Sequence, residues 1–173
     1  PEGAVYILDG VQGDDPEAIE VRKIAAGLAE PLGVKVVDDR IFVLQKQELT
    51  ELIDHDGDGR ADEYRVLATG WPVSSNFHEF AFGLVERDRK FYFCSAIAID
   101  PGGRSTQPQV PRRGTVMEVD LETGGFRYIA HGLRTPNGIG LGPNGQILVT
   151  DNQGDWVPVS KLVQVDEGDF FGS

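Results

Sequence analysis

Cysteine is almost missing from this sequence. Cys94 is the only one in 173 residues, which excludes an internal disulfide framework and any CxxC metal or haem motif within the chain. Set in the apolar run KFYFCSA, it reads as a small buried hydrophobe rather than a catalytic thiol. Basic residues are scarce too. Sixteen Lys and Arg against 28 Asp and Glu give a net charge of -12, which repels phosphate backbones and anionic lipid alike, so neither nucleic acid nor a membrane surface is an expected partner. No apolar run approaches the roughly 20 residues that span a bilayer, and no membrane span is expected. The chain opens on Pro1 without a signal-peptide pattern, which reads as a processed or truncated start.

Helical periodicity is also lacking. Only DDPEAIEVRKIAAG (14–27) has room for a helical turn, and its IEVRKIA alternates as well as it turns. What the chain does have is a series of short apolar runs: AVYIL, GVKVV, RIFVLQ, EYRVLA, KFYFCSAIAI, TVMEVDL, FRYIA, GQILVTD and SKLVQVD. They are rich in Val, Ile, Phe and Tyr and bounded by Gly, Pro, Asp or Asn, so they predict strands. With 40% hydrophobic residues over the length of one ordinary domain, the chain is expected to be a folded, all-β protein.

A repeat fixes the expected architecture. IAAGLAEPLG (24–33) returns as IAHGLRTPNG (129–138), and each copy leads into a strand, a turn and a second strand; LATGW (67–71) is a weaker echo, followed by the same succession. Gly33, Gly83 and Gly138 in these units stand 50 and 55 residues apart. A period near 50 with about four short strands per unit is that of a β-propeller blade. Propellers close with about four to eight blades and this chain holds about three and a half. Residues 1–173 are therefore expected to be a partial propeller from a longer chain, with an open stack of sheets, its last edge covered, as the alternative.

In LIDHDGDGRADEY (52–64), Asp54, Asp56, Asp58, the Arg60 carbonyl and Asp62 fit a DxDxDGxxD calcium loop, with Gly59 at the sharp turn. An EF-hand would need a bidentate Glu at the twelfth position, which here is Arg65 in a strand-like segment. The loop resembles instead the calcium-binding DxDxDG loops of integrin-type propellers, and the expected role of the ion is structural. The alternative is an acidic, solvated hairpin tip.

Differences between the two repeat copies point to what the second does beyond folding. Ala29, Glu30 and Leu32 become Arg134, Thr135 and Asn137, at the entry to an innermost strand where propellers bind ligands. An Arg there offers a planar fork of donors suited to carboxylate or quinone oxygens; a surface Arg is the bland reading. His78, in NFHEF, holds the same point of the intervening unit and is suited to take a proton near neutral pH. Asp151, Asn152, Gln153 and Asp155 in VTDNQGDW, read as following an inner strand, offer oxygen ligands or hydrogen bonds, and Trp156 a stacking face; a polar turn is the alternative.

At these residues the sequence resembles the quinoprotein glucose and sorbosone dehydrogenase family, six-bladed propellers that bind pyrroloquinoline quinone (PQQ) with calcium. Its most specific parts are GLRTPNGIGLGPNGQILVTDNQGDW and the segment from His78 to DRKFYF. The resemblance implies that His78 is the catalytic base that abstracts a sugar hydroxyl proton, that Arg134 contacts the quinone with Asn137 near it, and that Asn152, Gln153 and Gly154 hold the cofactor's calcium. It departs from the family where active members carry an Arg shortly after the histidine, here Phe82, and an acidic residue after the following strand, here SAIAI. The implied protein is periplasmic or extracellular and bacterial, acts on a small sugar or alcohol, and has a haem domain or protein partner over its open edge. The alternative is a non-catalytic, calcium-stabilised propeller serving as a binding or structural subunit of a larger assembly.

Overall fold

The computed structural model of the protein describes residues 2–173. Among these residues fourteen strands form four mainly antiparallel sheets, and one short 3-10 turn lies at Pro16–Ala18. β1 (Val5–Asp9) and β2 (Glu20–Ala25) pair as a ribbon; β3 (Gly33–Val37), β4 (Arg40–Leu44), β5 (Glu48–Ile53) and β6 (Glu63–Thr69) make the second sheet. The third holds β7 (Ala81–Arg87), β8 (Lys90–Ser95), β9 (Thr115–Asp120) and β10 (Phe126–His131), and the fourth β11 (Gly138–Leu141), β12 (Ile147–Asp151) and β13 (Lys161–Val165). β14 (Asp169–Phe170) then returns to pair in parallel with β10. This is a partial β-propeller, and the expected all-β class holds.

The sheets stack face to face, so middle strands such as β4 and β8 are buried on both faces and read as continuous apolar runs. In β8, Phe91 and Phe93 enter the core shared with the second sheet, where they meet Phe42, Leu44 and Trp71, while Tyr92 and Cys94 enter the core shared with Ile147 and Val149 of the fourth. β4 divides likewise, with Phe42 and Leu44 on one side and Val43 on the other against Ile24 and Leu28. Phe42 and Phe91 lie with ring centroids 4.8 Å apart, and Trp71 and Phe93 5.1 Å apart. Each such fully buried side chain contributes about 1.5–3 kcal/mol. Burial also pushes the Cys94 thiol far up, which agrees with its reading as a hydrophobe.

The repeat glycines mark the closest approach of the first strands. A Cβ on Gly33 would lie 2.5 Å from the Gly83 carbonyl oxygen, and one on Gly83, at φ +70°, would lie 2.3 Å from Ile139 Cγ2. Only glycine lets neighbouring blades converge so far. At the other end of these strands, Asp38–Asp39 and Asp88–Arg89 are two-residue hairpin turns with both residues at positive φ, the geometry that matches strand twist.

Three features differ from those the sequence predicts. The KFYFCSAIAI strand stops at Ser95, and beyond it only Ile99 forms a bridge, with Ser105. β12 is the second, not the innermost, strand of its sheet, so Asp151 ends a middle strand and Asn152 to Asp155 follow it. The sheets hold two, four, five and three strands rather than a uniform four.

Glu118 accepts hydrogen bonds from Arg127 Nε (2.8 Å), Lys90 Nζ (3.0 Å) and the Tyr92 hydroxyl (2.9 Å) across three neighbouring strands. Arg127 foremost, opposed by burial and helped by Lys90 and Tyr92, holds its carboxyl down at about 2 from an ordinary 4.5. A depressed carboxylate stabilises the fold above its unfolded value and loses that contribution as pH falls towards its folded one. Glu118→Gln is accordingly expected to cost about 1–2 kcal/mol at pH 7 in urea unfolding, with the gap to the parent closing between pH 4.5 and 2. Gly83→Ala, which combines a left-handed backbone with a clash, is expected to cost about 2–4 kcal/mol in the same measurement.

Candidate functional site

The antiparallel registers Ala81↔Ser95 and Gly138↔Thr150 set the ends of β8 and β12 beside the starts of β7 and β11. The long loops 96–114 and 152–160 therefore gather at the same end as the crossovers 70–80 and 132–137 that lead into those first strands. His78 lies on one crossover and Arg134 on the other. Together with Phe77, Asp100, Asn152 and Gln153 they line one cleft of about 330 Å³. Gly154 lines a larger adjoining hollow that Arg134 also borders, and the Trp156 side chain is 96% exposed at its rim. Asn137 is exposed and lines neither.

Arg134 is buried and already paired. Its Nε donates to Asp155 Oδ1 (3.0 Å) and its Nη2 to the Gly103 carbonyl, whereas Nη1 donates no hydrogen bond among the described residues. The backbone carrying it is pinned by the buried Asp151 carboxylate, which accepts from the amides of Arg134 (3.1 Å) and Thr135 (2.8 Å) and lies 3.6 Å from Lys161 Nζ. Burial would raise the Asp155 carboxyl, but the Ser105 hydroxyl and amide together with Arg134 hold it below its ordinary value. The Thr135 hydroxyl oxygen is buried without a partner.

The His78 amide donates to Asn76 Oδ1 (2.9 Å), and the Asn76 side chain exchanges hydrogen bonds with the backbone of Ile99. The His78 ring stands in an aromatic row with Phe77, Phe80 and Phe82, and its Nδ1 is buried without a partner. Sequence reasoning missed what lies behind it. Glu79, fully buried, sits 3.5 Å from Arg113, whose side chain is 1% exposed. Burial presses the Arg113 guanidinium down and the Glu79 charge opposes it. The one hint in the sequence was a carboxylate inside the apolar run HEFAF.

The aspartate loop is elsewhere. It follows β5 at the register end Ile53↔Glu63, opposite the end where β3 begins. Carboxylate oxygens of Asp54, Asp56 and Asp58 lie within 4.8 Å of one another, and no other such acidic, His or Cys group occurs among the described residues. Asp54 accepts from the amides of Gly59 (2.8 Å) and Gly57 (2.7 Å), and these, Gly59 foremost and against some burial, hold its carboxyl low. The Arg60 amide donates to Asp58, while Asp62 turns back to accept from the His55 amide and stands outside the cluster.

Among solved structures, the chain is similar to the iodide structure of a Trichoderma reesei carbohydrate-active enzyme of family AA12, at 15% identity and a TM-score of 0.65 over 97% of this chain and 52% of that one. The calcium structure from the same source gives 15% identity and 0.66 over 94% and 46%. The holo form of the pyranose dehydrogenase PQQ domain from Coprinopsis cinerea gives 16% and 0.57 over 95% and 47%. The chain thus spans about half the length of these structures. At such identities the likeness is one of fold, and it agrees with the propeller expected from the sequence. No curated protein matches the sequence. Residues 1–167 match the family described as a domain of unknown function, DUF7133, and the chain therefore belongs to that family.

Proposed function

We propose that this chain forms part of a PQQ-dependent dehydrogenase-type propeller that oxidises a sugar hydroxyl or aldehyde. The observation that carries the proposal is that His78 and Arg134, 56 residues apart and on separate crossovers, open into one cleft with Asn152 and Gln153. The residues present fit a quinone. The cleft volume is within the range of small-molecule sites, and His78, which lines it, has an Nδ1 still lacking a partner.

When bound, the quinone would supply the two-electron acceptor and its calcium a Lewis acid. Arg134 would use its remaining nitrogen to orient the quinone oxygens, and Asn152, Gln153 and Gly154 would offer oxygens to the ion. His78 would take the proton from the substrate hydroxyl, and Phe77 and Ile99 would keep water from that side. Blades beyond these, on the same chain or another, would complete the ring, with a haem domain or protein partner and a periplasmic or extracellular setting, as in the quinoprotein resemblance.

A non-catalytic propeller is favoured instead by two details: the position expected to hold a second Arg is Phe82, packed in the aromatic row, and Arg134 is already engaged by Asp155 and Gly103. Reconstitution separates the two. The full-length protein with quinone and calcium is expected to reduce a redox dye in the presence of aldoses or sorbosone, and His78→Ala to lower kcat by about 10²–10⁴-fold. Absence of both quinone binding, read by tryptophan fluorescence, and dye reduction would establish the non-catalytic propeller.

The Asp54–Asp58 cluster we assign to a structural calcium, supported by its carboxylate spacing. Calcium at about 100 times its dissociation constant is expected to add about 2.7 kcal/mol of stability, and chelator to remove it. Asp56→Asn should abolish the shift in Tm without changing quinone binding; a Tm indifferent to calcium in the parent would count against the assignment.

A further inference from the structure

The cleft needs two walls held at a fixed separation, and one side chain touches the supports of both. Arg113 Nη1 donates to the Pro72 carbonyl (3.3 Å) and Nη2 to the Phe80 carbonyl (2.9 Å), which bracket the crossover that carries His78. Its Nε donates to the Ala96 carbonyl (2.9 Å). The next residue, Ile97, donates its amide to the Arg134 carbonyl (2.9 Å), and Gly114, which follows Arg113, accepts from the Leu133 amide (3.0 Å). Gly114 has φ +66°, and a Cβ there would lie 2.1 Å from the Leu133 carbonyl oxygen, so the Arg113 and Arg134 segments meet as closely as backbones can. Glu79 completes the unit. One of its oxygens accepts from the Ser74 amide (2.8 Å) and the other from the Ser74 hydroxyl (2.6 Å), closing the turn that presents His78.

A buried ion pair is a poor way to gain stability, because desolvation offsets the attraction and apolar replacements often do as well; its better-attested use is to fix geometry. Here the fork of an Arg reaches three carbonyls from two segments, which a Lys point charge cannot reproduce. We infer that the Glu79–Arg113 pair positions His78 relative to Arg134, with Arg113 as the positioning residue. The inference rests on the proposed function only in taking those two residues as the site.

The test uses full-length protein carrying Arg113→Lys and, separately, the double change Glu79→Gln with Arg113→Met, which removes both charges. Two readouts are taken. The first needs no ligand: the ring resonances of the three histidines within residues 1–173, with His55 and His131 as internal references for His78. The second is quinone affinity by tryptophan fluorescence. In variants whose Tm stays near the parent's, the His78 resonances are expected to move well beyond any change at His55 and His131, and quinone affinity to fall tenfold or more. Folded variants with unmoved His78 resonances would overturn the inference. So would loss of fold in both variants, which would make the pair a structural prop. A parent that binds no quinone would sink the cofactor proposal alone, and the His78 resonances would still decide the positioning role.

Discussion

The constraint on which everything else depends is the close convergence of the first strands of successive sheets. With Gly33, Gly83 and Ile139 in near contact, adjacent sheets are forced to lie face to face, and the space between them can be filled only by apolar side chains from both. The core is therefore several thin layers rather than one mass, each shared by two sheets. The alternation of Phe91, Tyr92, Phe93 and Cys94 between two such layers follows directly. Convergence also has a consequence at the strand ends: crossovers and long loops from different sheets are drawn together, so residues far apart in sequence share a cleft.

Most of the fold was legible because that geometry writes itself into sequence as a repeat of Gly-terminated apolar strands. β5, ELTELI, escaped because two of its four buried positions are polar. Thr50 is fully buried against Gln45, and Glu51 is buried in a two-pronged pair with Arg40 at 2.7 and 3.0 Å. Local pairing makes such residues compatible with a core, but nothing in a single run of residues announces the partner. β14 was missed for a different reason: a two-residue parallel addition carries no period at all.

The site shows the same division. His78 and Arg134 could be picked out because they stand where repeat copies differ, and Asn152 and Gln153 because they follow a recognisable strand. The cleft brings these four together, but leaves Asn137 on the surface and Asp62 turned away from its neighbours in the acidic loop. Glu79 and Arg113 could not be paired by eye, since 34 residues and two strands separate them. Charge supports hidden beneath a site are a property of the assembled sheets, whereas groups that face a ligand leave a local mark.

The two ends of the stack also differ in slack. Asp38–Asp39 and Asp88–Arg89 are as short as a hairpin turn can be, with both residues in the left-handed region. At the cleft end, residues 100–112 and 152–160 form long and mostly exposed loops. Insertions and deletions can accumulate there while the strands keep their register, whereas a single residue added to either tight turn would shift the alternation of a whole strand. The propeller can thus be retuned for new ligands by loop length alone, on a scaffold that tolerates almost no change at its opposite end.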